Sequence, residues 1–205
     1  FNGEYATLRF LERCGYEIGY TTNEQVHNDP TILDNRSIVI FSGHNEYTSQ
    51  VVLNKIKSLL NSGVHIVNMA ANDLFWRVTY GTTSDSGVIA TAGRVMWCFK
   101  DTMAGPGGHV AGVQMNSTPP GWTGTWQDTR WPLREPSDGI LGDRFIANGI
   151  RNDRITVPFA MRNIAMWRNC AAINNLLTGD SFQFGAGSAG MEWDTPSGSI
   201  PTIKL

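Results

Sequence analysis

Charge is scarce in this chain. Only 17% of its 205 residues are Asp, Glu, Lys or Arg, and 16 basic against 18 acidic residues leave a formal net charge of -2. Nucleic acids and anionic membrane surfaces normally select a basic excess, so neither is expected as a partner. No apolar run reaches the ~18 residues of a membrane-spanning helix. The start, Phe1-Asn2-Gly3-Glu4, has no initiator Met and no basic-then-apolar leader pattern, so a processed product or a fragment is expected. Cysteine is limited to Cys14, Cys98 and Cys170, with no CxxC or CxxxC spacing. A disulfide framework or a thiolate zinc site is therefore not expected, and the reading is buried thiols in a reducing, cytoplasmic compartment. The four histidines (His27, His44, His65, His109) are dispersed, without HExxH, and no GxSxG elbow occurs. Gly105-Pro106-Gly107-Gly108 lacks the Lys-Ser/Thr of a phosphate loop. Gly185 to Gly190 spells G-x-G-x-x-G, but Met191 to Pro196 does not read as the helix that motif must open.

What the chain does have is apolar residues (41%), 22 glycines and seven tryptophans, enough for one core with tight loops around a rigid site. Residues 1–205 show no internal repeat and no low-complexity linker, which points to a single α/β domain. Tyr5 to Cys14 reads as a helix stopped by Gly15, and Tyr16 to Thr22 as a strand. Arg36 to Phe41 is a short β-rich run without polar alternation, as in a strand buried on both faces of a parallel sheet. A helix is expected from Thr48 or Ser49, with Val52, Ile56, Leu59 and Leu60 on one stripe and Asn61-Ser62-Gly63 as its stop. Val64 to Met69 is the next strand, and a short helical stretch with Leu74, Phe75 and Trp76 follows. Further on, Val95 to Lys100 and Ile155 to Ala160 suggest strands, Ile164 to Leu177 a helix, and Met103 to Arg134 a long ordered loop. Strand, helix, strand within so short a span implies right-handed crossovers and a mainly parallel sheet, flavodoxin-like in layout.

Ligands of such sheets bind beyond the carboxyl ends of the strands. Two polar clusters fall there: His44-Asn45-Glu46-Tyr47 and Asn72-Asp73. The helix near Thr48 would aim its free N–H groups into the same crevice. His44 is either a proton-transfer group or a loop-fixing hydrogen-bond partner. Glu46 is either chemical or a carboxylate favoured by the helix dipole. His65, inside an apolar strand, reads as a core residue, and His27 as a loop residue. The position where some related sheets carry a nucleophilic Cys reads Ala70-Ala71-Asn72, which argues against a Cys hydrolase.

Several of these segments resemble, in order, those of the C-terminal domain of the N,N-dimethylformamidase large subunit. Ser42-Gly43-His44-Asn45-Glu46-Tyr47-Thr48-Ser49 is similar to "sGHxEYWs", with Thr48 in place of Trp. Leu11 to Glu17 resembles "LExxGYdv", Ala71 to Arg77 "ANxxyWR", Met96 to Lys100 "mvcyK", Thr123 to Asp128 "TgxWRd", Ile140 to Gly142 "LxG", and Gly190 to Asp194 "GyEwD". The resemblance implies a three-layer sandwich like that of class I glutamine amidotransferases, without the Cys. It also implies hydrolysis of a small amide at a mononuclear iron held by two Tyr and one Glu. Tyr47 matches the motif tyrosine, and Tyr5 is the expected second. A gapless match puts Ser137 at the glutamate position, and Glu135 serves if the loop register shifts by two. His44, Glu46 and Asn72 would then orient water or amide, while Trp76, Trp126 and Trp131 either wall a small pocket or pack in the core. The family domain continues past the GxEWD segment and follows a β-rich domain. A piece of a larger domain is therefore expected here, acting as a homo-oligomer or completed by another chain. The alternative is a non-catalytic relative used for binding or assembly.

Overall fold

The computed structural model describes residues 4–81, 94–98, 124–126, 135, 139–148, 154–186 and 192–196. The expected loop from Met103 to Arg134 lies largely outside these residues, as do Trp131 and Ser137. The architecture is mixed α/β, with several small sheets. Helix α1 (Glu4–Arg13) ends at Gly15, whose φ of +77° suits the left-handed stop of a helix. Tyr16 to Thr22, expected as a strand, forms no strand pairing among the described residues. It is a connector ending in Thr22, which caps α2 (Asn23–Asn28) in a reciprocal capping box with Gln25.

Strand β1 (Ile38–His44) and strand β3 (His65–Ala71) pair in parallel, from Ile38 opposite His65 to His44 opposite Ala71. Between them run β2 (Tyr47–Ser49) and helix α3 (Gln50–Asn61), which starts at the Ser49 cap. Val52, Leu53, Ile56 and Leu59 of α3 form the core with Val26, Leu33, Leu74 and Trp126, against Val39, Phe41 and Ile66 of the strands. The expected stripe thus includes Leu53, with Leu60 at its edge. β1 is not buried on both faces, as was expected of Arg36 to Phe41. β1 and β3 alternate, and Ile38, Ile40, Val67 and Met69 are exposed on the side away from α3. His65 belongs to that outward phase, so it is a surface residue rather than a core one.

The stretch expected as a helix around Trp76 is instead strand β4 (Trp76–Gly81), parallel to β2 and antiparallel to β5 (Val95–Trp97). The pairings that decide it are non-local: the Trp76 N–H donates to the Glu46 carbonyl (2.8 Å), and Trp76 bridges to Thr125. Strand β6 (Asp143–Asn148) pairs with β9 (Glu192–Pro196), and β7 (Thr156–Pro158) with β8 (Ser181–Gln183), both antiparallel. The expected helix over 164–177 shrinks to a 3-10 turn at Ala165–Trp167 and α4 (Ala171–Asn174). The thiols are not buried as expected: Cys14 is exposed, and Cys98 and Cys170 are half-buried. No described helix is long and apolar enough to cross a membrane.

Candidate functional site

The parallel register brings the ends of β1 and β3 side by side, so the segments leaving His44 and Ala71 start as neighbours. Backbone hydrogen bonds then stitch them together. Leu74 N–H donates to the Asn45 carbonyl (2.9 Å), and the Phe75 and Trp76 N–H groups donate to the Glu46 carbonyl (3.1 and 2.8 Å). From the other side, Asn23 Nδ2 donates to Asn45 Oδ1 and to the Tyr47 carbonyl, both at 2.9 Å. Both polar clusters read from the sequence therefore meet in one place, with α2 buttressing the first.

Asp73 occupies the middle of this junction. It is only 2% exposed, and its Oδ2 accepts from Asn68 Nδ2 at 2.6 Å, while its Oδ1 is buried without a hydrogen-bond partner. Burial pushes its pKa up to about 6; the Asn68 hydrogen bond opposes that rise, the neighbouring Asp143 adds to it and His44 opposes it. Asp143 is raised as well, first by burial, with Asn68 again acting against the shift. The backbone around Asp73 is strained: Asn72 and Leu74 have φ of +54° and +50°. For residues other than glycine this costs of order 1–3 kcal/mol each, and such strain concentrates at functional positions.

The residues proposed from the sequence are distributed around this junction. His44 is exposed at the end of β1, Glu46 is half-buried, and Asn72 is buried with its Oδ1 unpartnered. Tyr47 opens β2. Tyr5 lies in the first turn of α1 and is 53% exposed. Its neighbour Glu4 lies against Gly43, where φ is +86° and a Cβ would overlap the Glu4 carboxylate. The start of α1 and the start of β2 thus both flank the end of β1. Glu135 sits elsewhere: its carboxylate accepts from Lys57 Nζ (2.7 Å) on the third turn of α3. Two phenols and a carboxylate are hard oxygen donors suited to ferric iron. Of the residues expected to form such a set, Tyr5 lies in the first turn of α1 and Tyr47 at the start of β2, and Glu135, held by Lys57, does not fit the set in this arrangement. Among the described residues no three of His, Cys, Asp and Glu form a metal-binding group.

Other sequence readings resolve into structure. Trp76 and Trp126 are buried at 2% and 1%, with the Arg77 guanidinium over the Trp126 ring, so they pack rather than wall a cavity. His27 is helical, not in a loop; its Nδ1 meets Ser49 Oγ at 2.8 Å and its ring leans on Tyr80. Burial lowers its pKa, and Glu24 partly offsets this. Ser49 also accepts from Val52 N–H, so the first turn of α3 is capped, and β2 separates it from the β1 end. The sequence reading missed Asn68, Asp143 and Glu4, and chose Asn72 over Asp73. One signal was available: Asn68 is a polar interruption in the apolar run that follows His65 in β3. A depression of about 330 Å³ between Pro30, Thr31, Val51, Asn54 and Lys55 lies on the outer side of α3, away from this chemistry.

The family model described as "N,N-dimethylformamidase beta subunit-like, C-terminal" matches residues 1–203 of the chain. No curated protein matches it closely enough to count as a relative.

Proposed function

The chain belongs to the N,N-dimethylformamidase beta subunit-like C-terminal family, and from that membership we propose that it hydrolyses the C–N bond of small linear amides. The observation that supports a chemical role is the buried, half-satisfied Asp73 carboxyl between two residues with positive φ, on the segment that leaves β3 where His44 ends β1. His44 and Glu46 exchange protons with water and the leaving amine, and Asn72 orients the amide. Tyr5 and Tyr47 are the proposed iron-binding phenols. Glu135 is the proposed third donor, and its joining them requires the Lys57 pair to open. When bound, ferric iron supplies Lewis acidity, polarising the amide carbonyl and acidifying a water.

The exposed apolar face formed by Ile38, Ile40, Val67 and Met69 supports the expectation of a further layer, as in a three-layer glutamine-amidotransferase-like sandwich. It also favours the second reading, a binding or assembly module completed by another chain, and the subunit-like family description supports that too. The two readings separate on one assay. Amine release from formamide and N,N-dimethylformamide is followed for the protein with and without added ferric iron, alongside its visible spectrum. The hydrolase reading expects amine release and a phenolate charge-transfer band, both lost in Tyr47→Phe. A colourless protein that releases no amine in either state would leave only the assembly reading.

A further inference from the structure

We propose that helix α2 is a clamp on the segment Asn45–Ser49, and that protonation of His27 opens one end of it. The site at the carboxyl end of β1 is then held firmly at neutral pH and loosened in acid. As control of amide hydrolysis the proposal rests on the reading above; as a movement of the chain it stands apart from it.

The clamp grips at two points. Asn23 Nδ2 donates to Asn45 Oδ1 and to the Tyr47 carbonyl, both at 2.9 Å. One turn further along α2, the His27 Nδ1 meets Ser49 Oγ at 2.8 Å. Residues four apart share a helix face, and Val26, beside them, is buried in the core. The gripped segment carries Glu46 and Tyr47. Its Asn45 and Glu46 carbonyls accept from the Leu74, Phe75 and Trp76 N–H groups, so its position is passed on to the second polar cluster.

The His27 end is the one that titrates. Ser49 Oγ accepts from the Val52 N–H and caps a 12-residue helix. A neutral imidazole accepts the Ser49 hydroxyl proton on Nδ1, which leaves the oxygen lone pairs to Val52. A protonated imidazole has no lone pair to offer. It donates into Oγ, and the hydroxyl must place its own proton elsewhere, although Ser49 is only 1% exposed. The cation also stands at the N-terminal end of α3, where the helix dipole repels positive charge.

The titratable groups that face His27 are Glu24, on its own helix, and Tyr80 from β4, whose ring centroid lies 4.7 Å away. β2 and α3 meet it through the uncharged Ser49, and the 3-10 turn Pro30–Leu33 carries no charged side chain. Glu24 favours the cation, but burial outweighs it and holds the pKa below the usual 6.5. The grip of the neutral ring is complete above pH 6.5 and is lost as pH falls through the lowered His27 value. Each unit of lowering corresponds to an increase of about tenfold in the opening constant once the ring is protonated.

The test follows the ring nitrogens of His27 by NMR across the acid range, together with hydrogen exchange of the Val26, Asp29 and Val52 N–H groups, corrected for intrinsic pH dependence. Val26 and Asp29 donate within α2, which has six residues and is too short to persist off the fold, and Val52 donates to Ser49. Exchange of all three should speed up with the His27 midpoint, below pH 6.5, by about tenfold per unit of lowering. Glu24→Gln should move that midpoint to lower pH, and His27→Gln should abolish the acid step. Exchange indifferent to the His27 titration, or an acid step that survives in His27→Gln, overturns the proposal. Amine release from N,N-dimethylformamide should fall with the same midpoint in the wild type. If the exchange step is present and the wild type releases no amine at any pH, the clamp stands and the amide reading is what fails.

Discussion

Replacing Asp73 with asparagine should stabilise the fold at neutral pH. In the folded chain its carboxyl is raised from 3.8 to about 6, chiefly by burial. The protonated form is therefore the one the fold prefers, and the unfolded chain gives up the proton more readily. The stability contributed by the neutral carboxyl is fully present below pH 3.8 and is lost as pH rises through about 6. A rise of about two units, at 1.36 kcal/mol each, corresponds to about 3 kcal/mol lost once the group is ionised. Asparagine keeps the acceptor for Asn68 and carries no charge, so it mimics the neutral acid. Urea unfolding of wild type and Asp73→Asn should give nearly equal stabilities near pH 3.5. The gap should open between about pH 4 and 6 and level off at about 3 kcal/mol in favour of the variant by about pH 7.5. A variant less stable than wild type at neutral pH, or a difference that does not change with pH, would refute the reasoning.

Two further substitutions test the supports of the junction. Gly43→Ala places a side chain at φ +86° and against Glu4, and should cost about 1–2 kcal/mol in the unfolding midpoint; Glu4→Ala in the same chain should recover part of the loss. Ser49→Ala removes the acceptor for Val52 N–H and the partner of His27 Nδ1. It should cost about 1–2 kcal/mol by thermal or denaturant unfolding, and an unchanged midpoint would deny the cap its role.

The elements legible in the sequence are those specified by local pattern. The apolar runs of β1 and β3 and the stripe of α3 needed only periodicity, and the two polar clusters at the strand ends followed from the topology. The failures share a cause, which is dependence on partners distant in sequence. Leu74-Phe75-Trp76 reads as a helical stretch, but Leu74 lies in a turn and the strand starts at Trp76, where the Glu46 carbonyl and Thr125 supply the pairing. Tyr16 to Thr22 has strand-forming residues but no described strand beside it. Whether His65 faces in or out depends on which side of the sheet α3 covers. Asp73 was visible as a polar residue after β3, but its burial, its strained neighbours and its proximity to Asp143 are products of packing. Glu135 shows the converse: an acid reached only by shifting the motif register by two is engaged by Lys57, a residue 78 positions away.

The most direct test is to locate where a small amide binds. Backbone amide chemical shifts should be followed as N,N-dimethylformamide is added to the isotope-labelled protein. The prediction is saturable shifts confined to His44–Tyr47 and Asn72–Phe75, weakened in His44→Gln. Shifts centred instead on the Pro30, Val51 and Lys55 depression, or none that saturate, would contradict a functional site at the joined ends of β1 and β3.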